Sequence, residues 1–211
     1  MGLDMYLIRV PRYGDTTIEQ ICSIESYLDW QDARKRGKEI ALNSTFEKWC
    51  GIKIEDLPTI DIVDFYRTFY KKRYAAWDTA KQYGHKAISH ELGYWRKANH
   101  IHRWFVENVQ DGIDDCQYHN EVTKMDLENL LDICEHVLKH SKLGEEEDGT
   151  KYVKNSSIAE KLLPTESGFF FGSTVYDEWY ISDIKETIKV CKKALRTTDF
   201  DTQMIYYCSS W

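Results

Sequence analysis

Large apolar residues alternate with polar ones over residues 3–10 and stop at Pro11 and Gly14, the pattern of a short strand. Thr16-Thr17-Ile18-Glu19 then supplies an N-cap with a glutamate three places on. Ile18, Ile21 and Leu28 recur at helical spacing and predict a helix to residue 35. Ser44-Thr45-Phe46-Glu47 repeats the capping pattern and opens a short helix that Gly51 ends. Beyond Pro58, Ile62, Phe65, Tyr66, Phe69, Tyr70, Tyr74 and Trp77 make an aromatic stripe on a helix predicted over 60–83. In residues 93–109, Trp95, Ala98, His102, Phe105, Val106 and Val109 share one helical face. Arg96, His100, Arg103 and Glu107 lie opposite them, with Trp104 on that polar side. Residues 126–138 predict a cleaner helix through Leu127, Leu130, Leu131, Cys134 and Leu138, and the acidic run 144–149 a solvated loop. Gly168-Phe169-Phe170-Phe171-Gly172 has the composition of a buried strand. Ile181, Ile184, Ile188, Cys191 and Leu195 mark a last helix, and residues 204–208 a last strand.

Three strands far apart in sequence and separated by runs of helices predict an α+β fold, a small antiparallel or mixed sheet covered by amphipathic helices. Nothing repeats at a fixed period and no Ser/Gly/Pro linker divides the chain, so residues 1–211 are expected to form a single domain.

Composition narrows the function classes. Of the 211 residues, 42% are hydrophobic and 30% charged, which excludes a disordered chain, and no apolar run approaches the ~20 residues of a membrane span. The 28 basic and 35 acidic residues give a formal charge of −7, against a partner such as long nucleic acid but not against a small anion held by two or three cations. Six cysteines without a CxxC pair, behind an opening that lacks the pattern of a secretory signal, predict a cytoplasmic protein with reduced, structural thiols. The anomaly is aromatic: 14 Tyr, 8 Phe and 7 Trp are more than a core of this size usually needs, and the excess reads as a thick core, a stacking surface for planar ligands or a partner interface.

The common catalytic signatures are missing: there is no phosphate loop, no GxGxxG turn and no GxSxG elbow. His90-Glu91 begins like a zinc-protease motif but meets Tyr94 where the second histidine belongs. His100, His102, Asp114, Asp115, Cys116 and His119 contain metal-ligand types. Residues two apart on a helix diverge, however, so His100 and His102 are not expected to share one site, and neither a metal nor a cofactor is expected. The local exception to the acidic balance is Arg96, Lys97 and Arg103, interleaved with Tyr94, Trp95 and Trp104. It reads either as a solvated helix face over a Trp-rich core or as a nucleotide site, with cations for phosphate and rings for bases. His102, on an apolar face, is either a satisfied core histidine or a hydrogen-bond partner for a base or phosphate, with Asn99 as its companion. Phe170 with Ser173, Thr174, Tyr176 and Trp179 could rim such a pocket, and Trp211 could lie along it.

The stretch GYWRKANHIHRWFVENVQDGIDDC (93–116), with LLPTESGFFFGSTVYDEWY (162–180), the opening MGLDMYL and the closing YYCSSW, resembles a family of small proteins of bacteriophages and some bacteria. The match covers about half the chain and leaves 15–90 as a variable helical insertion. The resemblance implies an accessory protein of an infected bacterial host's cytoplasm. By class analogy it implies an anti-defence protein that sequesters a small cyclic nucleotide or ADP-ribose-type messenger without turnover. An enzyme that degrades such a messenger, with His102 and Asp115 as acid/base candidates, and a direct inhibitor of a host enzyme are the competing readings. A homo-oligomer, most simply a dimer, is expected from the prevalence of two-fold assemblies.

Overall fold

The computed structural model describes residues 2–77, 88–114, 116 and 120–211. In chain order the elements are β1 (Asp4–Pro11), α1 (Ile18–Lys35), α2 (Glu39–Leu42), α3 (Phe46–Cys50), a 3-10 turn (Ile54–Asp56), α4 (Ile60–Trp77), β2 (His90–Arg96), α5 (Asn99–Asn108), α6 (Lys124–His140), β3 (Leu143–Glu145), β4 (Lys151–Val153), α7 (Ser157–Leu162), α8 (Glu178–Thr197) and β5 (Gln203–Ser210). The fold is α+β, with a three-stranded antiparallel sheet in the order β2-β1-β5 and a two-stranded hairpin, β3-β4. No helix among the described residues is long and apolar enough to cross a membrane.

The chain forms two compact units, Met1–Arg9 with Glu91–Trp211, and Val10–His90. The second covers the segment 15–90 that the sequence set apart. It is helical because its apolar spacing is helical: Ile18, Ile21, Ile24 and Leu28 of α1, Val63, Tyr66 and Tyr70 of α4, and Phe46 of α3 are all buried. The Glu25 carboxylate, itself buried, accepts from the Ile88 and Ser89 amides and the Ser89 hydroxyl at 3.1–3.2 Å, which offsets its desolvation. The cap of α1 falls one residue later than expected. Thr16 closes the preceding turn by donating to the Tyr13 carbonyl, so Thr17 caps the helix in a box with Gln20. At α3 the same shift makes Thr45 the cap, and Gly51 at φ 78° ends the helix.

In the first unit, Leu3 just before β1, Met5 and Leu7 of β1, and Ile205 and Tyr207 of β5 give one sheet face to the core, at 0–1% exposure. Helices α6 and α8 complete that core through Leu127, Leu130, Cys134 and Val137 on one side and Tyr180, Ile184, Cys191 and Ala194 on the other. Burial raises the Cys134 thiol pKa and lifts that of Cys191 to about 12, as for small apolar core residues.

Two expectations fail here. Residues 93–109 are not one helix: β2 occupies the stretch to Arg96, with Leu92, Gly93 and Trp95 buried and Tyr94 and Arg96 exposed. Trp95, Ala98 and His102 fit a helical stripe by spacing, but the chain reaches it as a strand, a turn and a new helix. His100 and Trp104, expected on a polar face, are therefore buried at 3% and 5% exposure. The Phe169-Phe170-Phe171 run is a turn, not a strand. Phe171 folds its ring over Gly168, where a Cβ would meet it at 2.5 Å, and Phe169 is 86% exposed. The third strand of the sheet is β2. The acidic run 144–149 is exposed from Glu145 onward, with Gly144 buried, and belongs to the β3-β4 hairpin and its turn.

Gly93 is required by packing: a Cβ there would lie 2.5 Å from a methyl of Val190. Gly93→Ala should destabilise the protein by about 1–3 kcal/mol. In urea unfolding, Gly93→Ala with Val190→Ala should cost less than the two single changes summed, by about 1 kcal/mol or more. Additive losses would contradict the contact.

Candidate functional site

The site begins where β2 ends. Lys97 takes φ 62°, a left-handed conformation that costs a non-glycine residue about 1 kcal/mol or more. Its amide donates to the Leu3 carbonyl at 2.8 Å and its carbonyl accepts from the Asn99 amide at 2.9 Å, so the turn is held from both sides. Helix α5 starts immediately after it with Ala98 as a cap that makes no side-chain hydrogen bond.

Asn99, 1% exposed, ties this turn to the irregular segment between α7 and α8. Its Nδ2 donates to the carbonyls of Phe171 (3.1 Å) and Ser173 (2.8 Å), and its Oδ1 accepts from the Glu166 amide at 3.0 Å. Thr165 closes the same segment on itself, with its hydroxyl donating to the Thr174 carbonyl and its amide to the Tyr176 hydroxyl. Gly172, at φ 91°, lets the segment pass close to Lys97, where a Cβ would stand 3.0 Å from that of the lysine.

Between these parts lies an open cleft of about 260 Å³. Arg96 and Lys97 reach it from the turn and Asn99 and His100 from the first turn of α5. Thr165, Gly172, Ser173 and Val175 reach it from the irregular segment, and Asp177, Trp179, Tyr180 and Asp183 from the start of α8. Asp177 caps α8, its Oδ1 accepting from the Trp179 and Tyr180 amides at 2.9 and 3.0 Å. Trp179 is 72% exposed, while Tyr180 is buried and donates to the Leu163 carbonyl.

Two polar groups in the cleft carry unmet capacity. His100 packs its ring against Tyr180 at 4.2 Å, and its Nε2 has no hydrogen-bond partner. Burial lowers its pKa to about 3, so the imidazole is neutral. Asp183 sits on the inward face of α8, one turn from Tyr180 and one turn before Thr187, whose hydroxyl bridges the Asp183 carbonyl and the Trp95 indole. Its carboxylate takes no hydrogen bond or ion pair from any described residue. Burial, and then the Asp177 charge, raise its pKa to about 7.

The residues singled out in the sequence divide accordingly. Arg96, Lys97, Asn99, Ser173 and Trp179 line the cleft, although Asn99 already uses its amide on the backbone. Trp95 is core, hydrogen-bonded to Thr187. Arg103 pairs with Glu107 at the surface. Tyr94 packs its ring at a tilt against Tyr6 and donates to Asp4, which with burial raises its pKa to about 12. Phe170 accepts from the Leu3 amide through its carbonyl, Thr174 supports Thr165, and Tyr176 packs on Tyr180. Sequence reasoning missed His100 and Asp183. An acid three residues after Tyr180 and four before Thr187, within the buried spacing of α8, was the available signal.

His102 lies outside the cleft in a second polar cluster. It is fully buried, its Nδ1 is 2.7 Å from the Tyr207 hydroxyl, and its Nε2 is 3.1 Å from Asp114, close but poorly aligned for a hydrogen bond. Asp114 in turn accepts from the Trp211 indole at 3.1 Å. His102 is thus a core histidine that fastens the C-terminal residues, and it does not stand beside Asn99 in a pocket. Asp115 and His119 lie outside the described residues. Among the described residues no three His, Cys, Asp or Glu side chains are grouped to hold a metal.

Comparison of the chain with protein-family models, curated proteins and solved structures gives no match.

The buried acid sets a pH dependence. Because the folded-state pKa of Asp183 is raised to about 7 from an ordinary 3.8, the native state holds this proton more tightly. The associated stability is full below pH ~4 and is lost as pH rises through 7. Relative to wild type, Asp183→Asn should therefore gain about 4 kcal/mol between pH 4 and pH 8 in urea unfolding. A constant difference across that range would contradict the assignment.

Proposed function

We propose that the protein binds a small nucleotide and acts by sequestering it. The observation that carries this reading is the cleft, which puts two cations, Arg96 and Lys97, beside the exposed Trp179 ring and polar groups with free hydrogen-bonding capacity. The start of α5, which has no side-chain cap, adds the positive end of a helix to the same cleft. The acids near the cations are already partly engaged: Asp4, 4.0 Å from Arg96, also accepts from the Tyr94 hydroxyl, Asp177 caps α8, and burial raises the Asp183 pKa to about 7.

Size limits the ligand. About 260 Å³ falls just below the usual ~300–1,000 Å³ of small-molecule pockets and accommodates one base with its phosphate. A cyclic dinucleotide carries two such units, and a two-fold pair of chains, each holding one half, suits it. The resemblance of residues 93–116 and 162–180 to a phage accessory family supports the biological reading, an anti-defence protein that withholds a cyclic nucleotide or ADP-ribose-type messenger. Six free thiols suit a reducing cytoplasm.

A second reading, turnover of the messenger, draws on Asp183 and His100, a near-neutral acid and a neutral imidazole in one cleft. Chromatography of the ligand after incubation separates the two: sequestration returns it intact, and an enzyme returns a product.

Cyclic di- and trinucleotides and cyclic ADP-ribose should be screened by thermal shift, where a bound ligand raises stability as RT ln(1 + [L]/Kd). At least one should stabilise the wild type. Arg96→Ala and Lys97→Gly, the latter chosen to keep the left-handed turn, should each weaken it on the order of 10-fold or more. No shift with any of these ligands would overturn the reading.

A further inference from the structure

We propose that the cleft selects guanine, with the Asp183 carboxylate accepting from the base N1–H and its 2-amino group while Arg96 and Lys97 hold the phosphate. This rests on the nucleotide reading above and names the base it takes.

The cleft holds two kinds of hydrogen-bonding group. Its donors with formal charge, Arg96 and Lys97, come from the turn after β2, and they match an anion. Its unmet groups are different in kind. Asp183, in the second turn of α8, presents a partly buried carboxylate that no described residue hydrogen-bonds. A carboxylate is acceptor-only when ionised and can take two parallel N–H groups at once. Among the common bases, guanine offers two adjacent donors on its Watson–Crick edge, N1–H and the 2-amino group. Adenine offers one donor beside an acceptor, and hypoxanthine lacks the 2-amino group.

His100 completes the match. Its ring is neutral and 3% exposed, and its Nε2 is buried without a partner, so a rotation of the ring toward the cleft would let that nitrogen carry the proton and donate to O6, the acceptor next to N1–H. The exposed Trp179 ring is available to cover the base face. Every polar atom of the guanine edge then meets a group that is otherwise unpaired. Burying such groups opposite a base that cannot satisfy them is the usual source of discrimination.

Titration calorimetry of the full chain at pH 8, with guanosine, inosine and adenosine 5′-monophosphates, tests this. The wild type should bind the guanine nucleotide about 10-fold or more tightly than the other two, the discrimination of one good bidentate pair. Asp183→Asn should bring the guanine-to-hypoxanthine ratio near one, because its amide oxygen can still accept from N1–H while its amide nitrogen opposes the 2-amino group. A circular-dichroism melt without ligand checks that the variant is folded, and the nucleotide series on the wild type stands without it. Equal binding of guanine and hypoxanthine nucleotides, a preference for adenine, or an unchanged ratio in a folded Asp183→Asn protein would overturn the inference and leave the nucleotide reading intact. No binding by any mononucleotide or cyclic nucleotide would overturn both.

Discussion

A single buried amide holds the candidate site together. The segment between α7 and α8 is itself neither helix nor strand, and Asn99 answers for three of its backbone groups at once: the Phe171 and Ser173 carbonyls and the Glu166 amide. Asparagine suits this position because it offers donors and an acceptor from one planar group, which neither aspartate nor leucine of the same shape does. Its own placement depends on the left-handed Lys97 immediately before α5, and that turn depends on the Leu3 backbone at the head of β1. Sheet, turn, helix and irregular segment are thus joined through one short stretch of chain, and the cleft is the space left between them.

The electrostatics follow from that placement. The turn projects Arg96 and Lys97, while α8 brings in Asp183 on a face that its helical period turns inward. Removal from water makes the acid hold its proton near neutral pH and makes His100 lose its own. The cleft therefore has permanent positive charge, a carboxyl that changes state in the physiological range and an imidazole that does not. Groups with capacity left over in a concave site are what a ligand-binding surface requires.

Much of the architecture was legible in the sequence. Helices α6 and α8 carry apolar stripes long enough to outweigh local noise, and β1 and β5 alternate or run apolar next to clear stops. Strand β2 was not legible, because Trp95, Ala98 and His102 fall at helical intervals even though Lys97 breaks the chain between them. The triple phenylalanine looked like a strand by composition, but Gly168 and Gly172 let it turn on itself. At the site, the cations and Trp179 could be read from local chemistry. His102 and Trp95 were drawn into the core by partners distant in sequence, Tyr207 and Thr187. The roles of His100 and Asp183 come from burial, which only the tertiary structure sets.

The most direct test of this account is amide hydrogen exchange on Asn99→Ala compared with wild type. Loss of the three hydrogen bonds should raise exchange across residues 165–175, beginning at the Glu166 amide, on the order of 10-fold or more, while α6 and the middle of α8 keep their protection. Unchanged protection of residues 165–175 in the variant would contradict the claim that this amide builds the cleft.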